Sequence, residues 1–384
     1  MPQEVHQYRL PAEGQSTCAD CPQAKYEGYD KLYRCCSYHP AVPNFLLGLA
    51  LKDKVARAAV ENLYYLGGLV PEGFLRTPHQ WIDYLADLSD DKFGEAKRVR
   101  CPNINETNGF CNIYAFRNGV CSTFFCLNDN GDFGAKFWES LQEMVSQMEF
   151  ALSQWALDQL GFNVKAYFSR LDKLAPKLKD VADPTTHFWT EKTRKYLWGR
   201  LYGKELQTFR DCGELISENR NRLWEIAAGW TIIDADRYDK AMNKMVPKEY
   251  QHEIDPDDLE PGENMSMQEL LADVRRYYRR LWKVPGALEL SPRARITKNP
   301  ADCKESRDKA SDRPYMLEFY SRRGGTSVEW REYLTKAQVD ALRAFRTPRQ
   351  VNEKLLRSRA FSTISDPSTF LAEAVGKRVL QPAH

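Results

Sequence analysis

The chain has almost no charge bias: 55 Lys and Arg face 53 Asp and Glu, for a formal net charge of +2. No global field therefore favours nucleic acid or a membrane surface. Long hydrophobic runs are also absent. Mean hydropathy is -0.60, and no apolar stretch approaches the roughly 18 residues that mark a candidate membrane span. The opening MPQEVHQYRLPAEGQ is polar and lacks the apolar core of a secretory leader. A cytoplasmic protein with no membrane segment is the expectation. Phosphate-cradling, zinc-protease and serine-hydrolase signatures do not occur in a credible context. After Cys126 the chain is poor in cysteine, with only Cys212 and Cys303.

What is present is the reverse of that poverty. Eight of the ten cysteines lie between Cys18 and Cys126, as Cys18, Cys21, Cys35 and Cys36, then Cys101, Cys111, Cys121 and Cys126. In a reducing compartment such clusters read as metal ligands or redox groups rather than as structural disulfides. Zinc sites and iron–sulfur clusters each commonly take four thiolates. Cys18-Ala-Asp-Cys21 is a CxxC, which lets two thiolates grip one ion within a tight turn. Adjacent residues of extended chain point to opposite sides, so Cys35 and Cys36 are expected to face two centres, or one ligates while the other packs. The second group is not built of paired CxxC knuckles, and its weight lies in the total rather than in local spacing. Zinc predicts two closed four-thiolate sites that hold the loops. A [4Fe-4S] cluster predicts four ligands, leaving four thiols for a second site or for redox work.

The order CxxC, CC, then C-P-N-I, G-F-C-N-I-Y-A-F-R and F-F-C resembles the YkgJ-type cysteine-cluster family, a zinc- or iron-chelating domain with eight cysteines. The matching positions are the eight cysteines just named, with Ile113, Tyr114 and Arg117 in the "IY…R" stretch. Thirteen residues separate Cys21 from Cys35, where the family is more compact, and Asn118 stands where the family has proline. The resemblance covers about one third of the chain, ending near residue 135. The family includes a flagellin lysine N-methylase, so the resemblance implies iron–sulfur-dependent modification of a protein substrate as one activity. The alternative is a non-enzymatic, zinc-stabilised interaction module.

Periodicity divides the remainder. The expected fold is mainly α, with an irregular Cys-rich metal-binding domain over 1–135, a helical domain over 136–310 and a small α+β, winged-helix-like module over 311–384. Helices are expected from Pro43 through Leu66, closed by Gly67-Gly68, and from Thr77-Pro78 through Leu88. Others are expected over about 137–160, 191–202, 205–229 and 266–283, where apolar residues recur at helical spacing. Asp129-Asn130-Gly131-Asp132 reads as a turn entering a helix, and Asp234-Ala-Asp236 as a solvated helix cap. Tyr315–Tyr320 and Thr326–Tyr333 alternate like a hairpin around Gly324-Gly325. Thr335 and Thr347-Pro348 then each open a helix. Nine acids and no Lys or Arg fall in 249–273, whereas 275–313 holds twelve Lys and Arg against five acids, a pattern that reads as solvated faces. With no basic excess overall, the expected partner is a protein or peptide, and nucleic acid is disfavoured. Cys212 reads as a packed helical residue, Cys303 as a bystander, and His39 as a satisfied histidine or a substitute ligand.

Overall fold

The computed structural model describes residue 10 and residues 38–89, 97–125, 131–254, 265–281, 286–298, 313–320 and 328–383. It is mainly helical, with small antiparallel sheets. The chain forms two compact units. The first holds the described residues of 38–124 and 141–271, and the second holds residue 10, the described residues of 125–140 and those from Ala272 onward.

The first unit opens with β1 (Val42–Pro43), α1 (Asn44–Ala50) and α2 (Lys54–Leu66). The expected single helix is therefore two. Asp53 breaks it, because its carboxylate accepts from the Val55 and Ala56 backbone N–H groups at 2.9 Å and starts a new N-terminus. Gly67 ends α2 in the left-handed conformation at φ 83°, as expected of a glycine after a helix. A tight hairpin follows, β2 (Leu69–Val70) and β3 (Gly73–Phe74), with β3 also pairing with β1. Gly73 has φ 136°, and a Cβ there would sit 2.0 Å from the Val42 carbonyl oxygen, so only glycine fits. Next comes α3 (Pro78–Ser89), opened as expected by Thr77. Thr77 and Gln80 cap each other reciprocally: each side-chain oxygen accepts from the other's backbone N–H.

After the irregular segment 97–118 come α4 (Gly119–Thr123), α5 (Gly131–Gln159), α6 (Val164–Leu174), α7 (Glu191–Trp198), α8 (Glu205–Glu218), α9 (Leu223–Gly229), α10 (Asp236–Met245) and α11 (Met267–Leu281). The expected 205–229 helix is broken between Glu218 and Leu223. Asp234 and Asp236 do not cap α10. Its N-cap is Ala235, and the carboxylate of Asp172 on α6 accepts from the Arg237 and Tyr238 N–H groups at 3.0 and 3.2 Å. The centre of this unit is α1 laid on α8. Gly48 and Gly213 let the backbones touch: a Cβ on Gly48 would fall 1.7 Å from the Phe209 carbonyl oxygen. Leu47, Leu63, Phe74, Trp198 and Phe209 fill the core around that crossing.

The second unit contains β4 (Ala287–Leu290), β5 (Ala294–Lys298), β6 (Tyr315–Tyr320), β7 (Val328–Leu334), α12 (Lys336–Arg343), β8 (Arg349–Gln350), α13 (Glu353–Leu356), α14 (Pro367–Gly376) and β9 (Leu380–Pro382). The expected strand pair is present, β6 antiparallel to β7, with β5 on the other side of β6. Gly324-Gly325 lies outside the described residues. Thr335 opens α12 with a full capping box to Gln338. Thr347-Pro348 does not open a helix. Arg349–Gln350 pairs instead with β4, and Asn352 caps the short helix that follows. Phe345, Phe361, Leu342 and Leu371 fill the core of this unit.

Candidate metal centre

Of the eight expected ligands, Cys101, Cys111 and Cys121 fall within the described residues. Cys18, Cys21, Cys35, Cys36 and Cys126 lie outside them, as does Cys303. The three described cysteines belong to one irregular segment, 97–123. It folds because polar side chains and turns, rather than apolar periodicity, satisfy its backbone. Ile104 and Cys111 form an isolated antiparallel bridge. The Asn112 N–H donates to the Asn103 carbonyl at 2.8 Å, and the Asn105 N–H to the Phe110 carbonyl at 2.8 Å. Gly109, at φ 69°, makes the turn between them. Cys101 is buried, and the Asn103 side-chain amide donates to its sulfur at 3.7 Å.

Further along the chain, Asn118 caps α4 by accepting from the Cys121 N–H at 3.1 Å. The Gly119 N–H donates to both oxygens of Glu149, on α5, at 3.0 Å each. Gly119 is needed there, since a Cβ would stand 2.9 Å from Val145. Cys121 stands within electrostatic reach of Cys111. Burial pushes the Cys121 thiol up to about 11, and a neighbouring Cys111 thiolate adds to the rise. Burial also raises Cys111. Glu149 beside them is pushed up to about 7 by burial. As free groups these are neutral thiols packed together. A bound cation reverses that preference, because it binds the thiolate and releases the proton. Among the described residues, no group of three or more His, Cys, Asp and Glu is placed to hold a metal ion. A complete ligand set therefore requires thiols from outside them.

The segment just after Cys35-Cys36 is fixed against this loop. His39 Nε2 lies 3.0 Å from the Arg100 carbonyl oxygen, immediately before Cys101. A carbonyl only accepts, so Nε2 carries the proton. Burial pushes His39 down to about 4 and keeps it neutral. His39 is thus the satisfied histidine of the two readings, and its Nε2 is not free to ligate. The Asn118 side chain, in turn, donates to the Ala41 carbonyl at 2.8 Å. The aromatic residues of the segment are divided, with Phe116 half-buried against the core around α1 and the others turned outward. Phe110, Tyr114 and Phe124 are exposed, and the buried apolar residues are Val99, Ile104 and Ile113. Cys212 is fully buried inside α8 with its thiol pushed up to about 12 by burial, the packed residue expected.

Sequence reasoning missed a second buried constellation. Glu72 sits in the β2–β3 turn, buried, and one carboxyl oxygen accepts from the Tyr167 hydroxyl at 2.9 Å. Its other oxygen has no partner, and the nearby Tyr238 hydroxyl has none either. Burial raises Glu72 to about 8, so it is protonated at neutral pH. Nothing in Pro71-Glu72-Gly73 announces this, since the burial comes from α6 and α10, both distant in sequence. No family model matches the chain, and neither does any curated protein or solved structure. No helix among the described residues is long and apolar enough to cross a membrane.

Proposed function

We propose that this is a cysteine-cluster metal protein, in which thiols of both sequence groups hold an iron–sulfur cluster or zinc. The carrying observation is the anchoring of residues 39–41 between Arg100 and Asn118, through the His39 and Asn118 hydrogen bonds. His39, three residues after Cys36 in sequence, is anchored at the residue just before Cys101, which supports drawing ligands from both groups. The rise of the Cys121 thiol beside Cys111 supports the same reading, because a bound cation favours the thiolates. The ligand set is then drawn from Cys18, Cys21, Cys35, Cys36, Cys101, Cys111, Cys121 and Cys126.

The resemblance to YkgJ-type proteins extends this to modification of a protein substrate; a zinc-stabilised interaction module is the alternative. In either case the hairpin-then-helix order of β6, β7 and α12 supports a winged-helix-like surface for protein or peptide. The deciding experiment is metal and acid-labile sulfide analysis of the full chain purified without oxygen. Iron with sulfide and a broad visible absorption establishes the cluster and favours chemistry. Colourless protein with stoichiometric zinc establishes the interaction module. Protein that folds with neither metal overturns the proposal.

A further inference from the structure

The second unit holds a cavity of about 40 Å³ on one face of the sheet formed by β5, β6 and β7. Register decides which side chains reach it. Leu317 pairs with Glu332 and Tyr315 with Leu334, so Leu317, Glu332 and Leu334 stand on the same face. Phe319 and Trp330 stack on that face too, with ring centroids 5.2 Å apart. Leu342 of α12 and Phe370 of α14 line the cavity from the helices.

Three charged residues also line it. Lys377, just past the end of α14, donates to both carboxylate oxygens of Glu332 at 2.9 and 2.7 Å, so these two satisfy each other. Glu373, one turn earlier on α14, is exposed and makes no ion pair among the described residues. The cavity therefore joins an apolar lining to one unpaired carboxylate. About 10–15 Å³ of such space holds one water. The volume here suits about three atoms of that size, the branched end of a Leu or Val side chain. An aromatic ring is too large, since benzene occupies a cavity of roughly 150 Å³. Protein interiors are close-packed and leave few voids larger than a water.

A second observation concerns the main chain. β7 pairs with β6 along one edge, and no strand pairs with its other edge among the described residues. Such an edge presents N–H and C=O groups that a further extended segment can complete. β7 has no proline to blunt it. Edge and cavity adjoin, because Glu332 and Leu334 of β7 line the cavity. Side chains alternate along a strand, so a strand added to β7 sets every second side chain on the cavity's face.

We propose that β7 is a docking edge for an extended peptide of a partner protein, which seats one Leu or Val side chain in the cavity and sets a Lys or Arg against Glu373. The inference rests on the reading that this unit meets a protein or peptide, and it does not involve the metal centre. An extended peptide is the occupant because strand addition answers the edge's main-chain groups while pockets select its alternate side chains. The unpaired carboxylate selects a basic neighbour.

The test is an NMR titration of the full chain with labelled Leu and Val methyl groups. The probe is a short capped peptide alternating Thr and Lys around a central Leu. Saturable shifts are expected at Leu317, Leu334, Leu342 and Val379. Replacing the central Leu of the probe by Ala should weaken binding by about tenfold. Methylating alternate backbone nitrogens of the probe, on the side that faces β7, should abolish it. Ala374→Leu fills the cavity and should abolish the shifts. Where that variant does not fold, Glu373→Lys, at an exposed position, should weaken binding about threefold or more at low salt. Equal affinity for the Leu, Ala and methylated probes overturns the proposal. So do shifts confined to other methyl groups, which would leave a peptide partner but seat it elsewhere. No shift at all overturns it as well, as does a peptide-free dimer that shifts the same methyl groups, since that assigns the edge to a second copy of the chain.

Discussion

Glu72 carries a whole carboxyl group into the core of the first unit. Its folded pKa lies near 8, against 4.5 ordinarily, and desolvation is the main cause. The fold therefore favours the protonated form. Its contribution is fully present below the ordinary value and is lost as pH rises through about 8. Glu149, raised to about 7, and Asp239, raised to about 6, act in the same direction. Stability to urea should fall between about pH 5 and about pH 9, by roughly 2–4 kcal/mol for Glu72 alone. Glu72→Gln keeps the shape and removes the charge, so it should flatten that fall. A wild-type curve that is level over this range contradicts the assignment. Tyr167→Phe strips Glu72 of its one donor and should cost about 1–3 kcal/mol at neutral pH.

At the scale of elements, the crossing of α1 and α8 is the least tolerant contact. A methyl group on Gly48 has nowhere to go, since the Phe209 carbonyl is backbone and cannot rotate aside. Gly48→Ala should lower stability by about 3 kcal/mol, the upper range for overpacking. Gly229→Ala meets no atom within 4 Å and should be neutral or slightly stabilising. Thermal melts of the two variants compare them directly, and equal losses would refute the packing account. Thr335→Ala removes the α12 capping box and should cost about 1 kcal/mol.

Caps of this local kind are why parts of the fold were legible. Thr77-Pro78, Gly67 and Thr335 each carry their signal within three or four residues. The same local logic misread Thr347-Pro348, because the pairing of Arg349 with Leu288 is set more than sixty residues away. It also ran α1 and α2 together, since apolar spacing outweighed the capping value of Asp53. For the site, the cysteine clustering was legible. The capture of residues 39–41 by Arg100 and Asn118 was not, because no periodicity marks a loop held by asparagine side chains. The Asp83–His187 bond spans 104 residues and left no trace in either local sequence.

On the scale of the whole molecule, the account makes the metal a tie between two stretches of chain that some 65 residues separate. Structural metal sites couple binding to folding, with apparent binding free energies of roughly 10 kcal/mol or more. Loss of one thiol from either stretch should then remove metal and stability together, whereas a cysteine packed in α8 should matter to neither the site nor its occupancy. The most direct measurement is the metal content per chain of Cys21→Ser, Cys121→Ser and Cys212→Ser, each purified without oxygen beside the wild type. The account predicts that Cys21→Ser and Cys121→Ser both lose metal while Cys212→Ser keeps the wild-type amount. Equal metal in all three variants, or equal loss in all three, would contradict it.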